Sequence, residues 1–305
     1  MNEYHDSPER QKPAIPDAFD YCALTNDLLF HMVFSQNMKA LRSLLSALLG
    51  MPESDIQSID VLNPMQYNAS IDTKVTVLDL KLHLNADEFI LIELQVRRFE
   101  HWTNRTMVYA CRQIDEQSRG SQFQYDSLQP VIQIAIMDHT LFPDHKRFYA
   151  KYQLRDDEGY RYSDKLSFYV LDLTATSAAT AEERTQGLVE WARAFTAQNW
   201  EEVQSIENAG VREATKTMEV IMSKPSERQL LWDRRMAQLD YESQMSSARK
   251  QGLAEGRAEG RAEGRAETIE EIVKNLMNSL GLTKEQAMTA LKLSSDDRKI
   301  LSDRL

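Results

Sequence analysis

The stretch Val75 to Val96, VTVLDLKLHLNADEFILIELQV, alternates in hydrophobicity on both sides of a short polar turn at Asn85, Ala86 and Asp87. That pattern predicts an antiparallel hairpin. In the first strand Leu78, Leu80, Leu82 and Leu84 share one face, and Val75, Val77, Asp79 and Lys81 the other. In the second, Ile90, Ile92, Leu94 and Val96 share a face, leaving Phe89, Leu91, Glu93 and Gln95 opposite. Successive strand residues point to opposite faces, so packing both aliphatic faces on one core brings Asp79, Glu93 and Gln95 out together. A three-residue loop sets Leu84 against Glu88 and Asp79 against Glu93, with side-chain bases about 5 Å apart. A five-residue loop sets Asp79 against Gln95, with Glu93 on the diagonal. Either register puts two carboxylates within reach of one divalent cation.

Mg²⁺ suits such a pair. It takes oxygen ligands, keeps several waters and commonly binds through one or two carboxylates together with a substrate phosphate. In that position it would polarise a phosphoryl oxygen and lower the pKa of a bound water, with Gln95 orienting the water through its amide. The competing reading is the plain solvent face of a half-exposed hairpin. Val75, Val77, Phe89 and Leu91 share that face, however. Acids set among them and packed under a helix are costly without a compensating cation or partner.

Upstream, Asn26 or Asp27 is placed to cap a helical run that Gly50 ends and that Ser35-Gln36-Asn37 divides in two. An edge strand is expected from Ile59 to Leu62. Downstream, the second half of RRFEHWTNRTMVYACRQIDEQSRG is helical in pattern and stops at Gly120. PVIQIAIMD (Pro130 to Asp138) has the near-continuous apolar character of a buried central strand, and KLSFYVLDL (Lys165 to Leu173) is a further strand. This order predicts an α/β core over residues 21–175. A disordered or extended tail over 1–20 precedes it. A helical region over 176–250 follows, with Trp191, Phe195, Trp200, Ile221 and Trp232 as anchors and a break at Pro225.

The chain has 305 residues, enough for a sizeable core, and a net charge of −11. That charge argues against nonspecific nucleic-acid binding over the whole surface but leaves room for a local basic groove. Arg97, Arg98, His101, Arg105 and Arg112 follow the second strand. Arg105, Tyr109 and Arg112 recur at helical spacing on one face, where the arginines would bind phosphate oxygens beside the acids. Alternatively, Tyr109 is core and the arginines are solvated or pair with Glu100, Asp115 and Glu116. His139 and His145 read as surface or loop residues. The two cysteines, Cys22 and Cys111, predict free thiols in a reducing compartment. No apolar run approaches the ~20 residues that cross a bilayer, and the polar, proline-bearing N-terminus does not read as a signal peptide. A cytoplasmic, bacterial-type protein is expected.

From Gly252 to Glu267 the sequence repeats Gly-Arg-Ala-Glu-like tetrads. On a helix these set like charges at i,i+4 with no opposite pair at i,i+3 or i,i+4, and each glycine costs roughly 1 kcal/mol relative to alanine. Residues 251–267 are therefore either a spacer or a helix that gains by pairing with a second copy. The latter predicts a homo-oligomer through the C-terminal helices. Residues 268–305 read as short amphipathic helices, punctuated by Gly281, a Thr283/Gln286 capping box and a cap at Ser294 or Ser295.

The ordered set TNDLLFHMVF (Thr25 to Phe34), VLDLKLHL (Val77 to Leu84), ILIELQ (Ile90 to Gln95), RTMVYACR (Arg105 to Arg112), PVIQIAIMD and FYVLDL resembles the Rpn family of recombination-promoting nucleases, a PD-(D/E)XK nuclease family of transposases. The resemblance covers most of residues 21–175, and a repeat followed by a small helical tail is also a habit of that family. It implies a restriction-endonuclease-like core, a mixed central sheet flanked by helices, followed by an α-helical C-terminal region. It also implies Mg²⁺-dependent endonucleolytic cleavage of DNA, with Asp79 and Glu93 as metal-binding acids and Gln95 at the position of the catalytic lysine. Asp27 matches the family's Asn-Asp-x-x-Phe opening and is a further metal candidate, although N-capping explains it equally well. His31 stands where the family usually has lysine. The alternative is a nuclease-fold interaction protein without catalysis that oligomerises through its helical second half.

Overall fold

The computed structural model describes residues 19–62, 65–66, 76–77, 79–96, 98, 100–119 and 122–302. Asn26 caps α1 (Asp27–Gln36) by accepting from Leu29 N. Asn37 ends that helix and caps α2 (Met38–Leu49), which stops at Gly50 with φ 71°, a left-handed terminus that a Cβ would penalise. Next come β1 (Ile59–Leu62), a separate two-stranded pair of β2 (Met65–Gln66) and β3 (Thr76–Val77), and the hairpin of β4 (Leu80–Leu84) and β5 (Glu88–Gln95). Helix α3 (Trp102–Ser118) leads to β6 (Val131–Met137), β7 (Tyr149–Arg155) and β8 (Arg161–Asp172).

The main sheet has the order β1-β4-β5-β6-β8-β7. Strands β5, β6 and β8 run parallel, and the remaining pairs are antiparallel. Every residue of β6 is buried, as expected of a parallel strand covered on both faces. On one face Leu80, Leu82, Ile90, Ile92, Ile134 and Ile136 join the main core with α1 and α2. On the other, Leu91, Val131 and Leu166 pack against Tyr109 and Ala110 of α3. This is the mixed central sheet flanked by helices that the family resemblance implied.

Four details depart from the sequence pattern. Strand β4 begins at Leu80; of the residues expected before it, Val75 and Leu78 lie outside the described residues, and Thr76 and Val77 pair with Gln66 and Met65 instead. The expected tail falls outside the described residues up to 18. Phe19 and Asp20 belong to the fold: Phe19 packs on Trp232, ring centroids 5.1 Å apart, and Asp20 O accepts from Trp200 Nε1. Strand β7, with its Lys, Gln and Arg side chains, gave no apolar signal because it lies at the sheet edge. Finally, α4 (Ala181–Thr185), α5 (Leu188–Thr196), α6 (Trp200–Gln204) and α7 (Ala209–Ser223) do not form a region of their own. Trp191, Phe195, Met218 and Ile221 share the core of Phe30 and Phe34.

Helices α2 and α7 meet at Gly210. A Cβ there would collide with the Ser43 side chain and come within 3.1 Å of the Trp191 ring. Gly210→Ala is expected to destabilise the protein by about 2–3 kcal/mol through overpacking, read as a lower urea midpoint. An unchanged midpoint would mean that the two helices slide apart freely.

The chain divides into two compact units, Met1–Arg235 and Met236–Leu305. Helix α8 (Pro225–Leu280) starts with proline at its first position, where the missing N–H costs nothing, and includes the whole tetrad repeat. In the second unit α9 (Lys284–Ala290) has the Thr283/Gln286 capping box, and Ser294 Oγ accepts from Asp297 N at the start of α10 (Ser295–Ser302). Val273, Ala287 and Met288 form its small core. Among the described residues no helix is long and apolar enough to cross a membrane.

Candidate active site

Strands β4 and β5 pair with Leu84 opposite Glu88 and Leu80 opposite Ile92. This is the register of a three-residue loop, with Asn85 and Ala86 at φ 53° and 54°. Continued by one residue it would set Asp79 against Glu93, but Asp79 leaves the ladder in a bend. Its Oδ2 accepts from Leu94 N at 2.6 Å. Its carbonyl accepts from His31 Nδ1 of α1 at 2.9 Å, which requires the hydrogen on Nδ1 because a carbonyl only accepts. The bend is thus tied to both the neighbouring strand and the first helix.

Glu93 and Gln95 lie under α3, 4% and 5% exposed. Arg105, one turn into α3, sets Nη2 2.8 Å from Glu93 Oε1 and donates through Nε to the Tyr109 hydroxyl at 2.6 Å. Its guanidinium also lies 5.2 Å from the Tyr109 ring and 5.8 Å from the Trp102 ring. Glu93 Oε2 is buried and has no hydrogen-bond partner. Burial raises the Glu93 carboxyl to about 8 despite Arg105, and the neighbouring Asp79 charge pushes the same way. Burial likewise raises Asp79 to about 6, opposed by the Leu94 N–H and reinforced by Asp27. Two acids share a site that one guanidinium does not fully neutralise.

Asp27 opens α1, and its Oδ1 accepts from Leu28 N. Arg234, 207 residues away, donates from Nε to both of its oxygens and adds a closer contact from Nη2. Burial opposes ionisation of Asp27, but the Arg234 hydrogen bonds and charge outweigh it and hold the pKa below the ordinary value. Asp27 is therefore near Asp79 but engaged by an arginine.

Of the other expected residues, Arg97 lies outside the described residues. Arg98 is exposed, and Arg112 is half-buried on α3. Arg105 faces Glu93, and Tyr109 is both a core residue and an Arg105 partner. Two cations near the site had no role in the sequence reading. Arg234 has no local signal. Lys81 shares the parity of Asp79 and is buried under α3, with Nζ 2.7 Å from Glu116 Oε2.

Among the described residues no group of three or more His, Cys, Asp or Glu side chains is disposed to hold a metal ion. The pair itself nonetheless suits a hard cation. Both ligands are carboxylates, and Glu93 Oε2 is a buried acceptor with nothing to accept from, an arrangement that is costly without a compensating charge.

Comparison with curated proteins and with solved structures gives no match. The family model described as PD-(D/E)XK nuclease family transposase matches residues 24–248, from the start of α1 well into α8. That span contains the hairpin, the carboxylate pair, α3 and Arg234, and it passes residue 175, where the sequence resemblance stopped. With most of its length matched, the chain belongs to the PD-(D/E)XK nuclease family transposases.

Proposed function

We propose that this chain is a metal-dependent DNA endonuclease of recombination or mobile-element type, hydrolysing phosphodiesters at Asp79, Glu93 and Gln95. The observation that carries this reading is the buried carboxylate pair with Glu93 Oε2 unpartnered. Mg²⁺ held by Asp79 and Glu93 would supply Lewis-acid polarisation of the phosphoryl group and a water ionised near neutral pH. Asp79 contributes from a backbone bend fixed by Leu94 N and His31, so little reorganisation is needed. Gln95, on the same strand face as Glu93, orients the attacking water through its amide. Arg105 is half-exposed and holds Glu93 Oε1 in the free protein. Its planar fork also fits a phosphate, so an incoming strand can take it over and free Glu93 Oε1 to hold the cation. Arg98 and Arg112 are the further phosphate contacts of this proposal, with Arg97, which lies outside the described residues, a fourth candidate. Asp27 joins the site only when Arg234 releases it.

One observation favours the second reading, a nuclease-fold interaction protein without catalysis. Arg105 on Glu93 and Arg234 on Asp27 already engage two of the three acids. Supercoiled plasmid incubated with the protein in Mg²⁺ or EDTA separates the two. Relaxation or linearisation in Mg²⁺ alone supports the endonuclease; an unchanged plasmid in both supports the interaction protein.

Self-association through α8 belongs to the same proposal. From Leu239 to Arg265 every residue of the helix is exposed, and nothing lies within 4 Å of the positions where side chains would project from Gly252, Gly256, Gly260 and Gly264. Leu239, Tyr241, Met245 and Leu253 are among these exposed residues. A helical stretch with no buried face and four glycines is marginal by itself, and a second copy supplies the burial it lacks. Ending the chain after Lys250 is expected to lower the oligomeric state in sedimentation. An unchanged state would remove the repeat from the interface.

A further inference from the structure

The sheet face that carries Glu93 continues into a cavity. Glu93 is the lateral neighbour of Ala135 on β6, and Ala135 of Val170 on β8. Ala135 and Val170 line a pocket of about 180 Å³, together with Trp102, Thr103, Thr106 and Met107 of α3 and Phe142, Tyr152, Phe168 and Tyr169. The lining is aromatic on several sides. Met107 and Phe142 are exposed, so the pocket opens to solvent. Trp102 belongs both to this lining and to the Arg105 cluster beside Glu93.

One polar side chain in the lining is out of keeping with the rest. Gln133, on β6, is 1% exposed, and neither its Oε1 nor its Nε2 has a hydrogen-bond partner. An amide buried this way forfeits a donor and an acceptor, each at a substantial cost. A leucine would fill the same volume without that cost, so the amide is explained by a ligand that pairs with it. The ligand must be flat, to lie among aromatic rings, and must carry adjacent donor and acceptor atoms on one edge. The pocket is smaller than the roughly 300–1,000 Å³ of drug-sized sites and suits a single ring system.

We infer that this pocket takes one unstacked nucleobase of the DNA, with Gln133 pairing with its edge and Trp102, Phe168 and Tyr152 giving stacking and apolar contact. The inference rests on the proposal that DNA is the substrate, and it names how a strand is seated beside the carboxylates. A side-chain amide pairs naturally with the N6 and N7 atoms of adenine, and aromatic faces hold single bases by stacking. Neighbouring strands lie about 4.8 Å apart, so a base held at Ala135 leaves its backbone next to Glu93 and Arg105.

The test is fluorescence anisotropy in EDTA with the full chain and two labelled single strands. One is abasic throughout, and the other is identical except for one central adenine. The native protein is expected to bind the adenine strand about tenfold more tightly. Gln133→Leu removes an unsatisfied buried amide and so should fold at least as well; it is expected to lose most of that advantage. Thr103→Phe, at an exposed position in the lining, plugs the pocket and is expected to abolish it. Equal binding of the two strands by native protein, no binding of either, or an advantage that survives both variants would overturn the inference. Because metal is absent, this outcome is separate from plasmid cleavage. Cleavage without a base effect removes the pocket alone, and a base effect without cleavage removes the nuclease alone.

Discussion

Glu93→Gln is expected to lower Mg²⁺-dependent plasmid cleavage by at least about a thousandfold while leaving the protein as stable as the native chain at pH 8. The two halves of this expectation have the same origin. Glu93 is buried, its Oε2 is unpartnered and its carboxyl is raised to about 8, so its ionised form is a cost to the fold that Arg105 offsets only in part. Replacing it with the isosteric amide removes that cost, and Arg105 keeps an oxygen to donate to. The cation-derived transition-state stabilisation of the proposed mechanism, several kcal/mol, would be lost at the same time, and about 4 kcal/mol corresponds to a thousandfold in rate. Asp79→Asn should behave alike in cleavage, and the double variant little worse than either, since residues that act as one unit are not additive. Initial rates paired with thermal melts on the same preparations check this. A variant that loses activity only because it unfolds would show a lowered melt.

The second large effect is on stability against pH. Glu93 ionises at about 4.5 when unfolded and about 8 when folded, and Asp79 at 3.8 and about 6. Between these limits the folded protein holds protons that the unfolded chain has released, so stability falls as pH rises. The Glu93 contribution is fully present below about pH 4.5 and lost on passing pH 8. A full shift of that size corresponds to an upper bound on the order of 5 kcal/mol. Glu93→Gln should remove most of the decline, seen in urea midpoints across pH 5 to 8. At the proposed site Mg²⁺ would compete with these protons and bind only the native state, so it should raise the native midpoint far more at pH 8 than at pH 5. A decline of equal depth in the variant would place its source elsewhere.

The parts of the site that were legible from the sequence are those governed by local rules. Period-two alternation and a three-residue polar turn were enough to put Glu93 and Gln95 on the face opposite Ile92 and Leu94, and the observed pairing of Leu84 with Glu88 is one of the two registers they allowed. Asn26 capping and the Gly50 stop are likewise local chemistry. The bend at Asp79 was not legible, because it depends on Thr76 and Val77 leaving for a strand at Met65. The Arg234 contact to Asp27 spans almost the whole first unit, and no spacing announces it. Helical spacing put Arg105 and Tyr109 on one face, but the choice of Glu93 over a phosphate or Glu116 is made by packing. In sequence Gln133 is one polar residue within the apolar run Val131 to Met137. Only the aromatic walls contributed by β7, β8 and α3 make its two unpaired atoms notable.

The central claim is that Asp79 and Glu93 together form a metal site, and the most direct measurement is Mn²⁺ binding followed by the loss of its free-ion electron paramagnetic resonance signal. At pH 8 the native chain should take up Mn²⁺ saturably and release it to excess Mg²⁺, whereas Asp79→Asn and Glu93→Gln, both folded by thermal melt, should each take up at least about tenfold less at the same free concentration. Equal uptake by the native chain and both variants, or no saturable uptake by the native chain, would contradict the account.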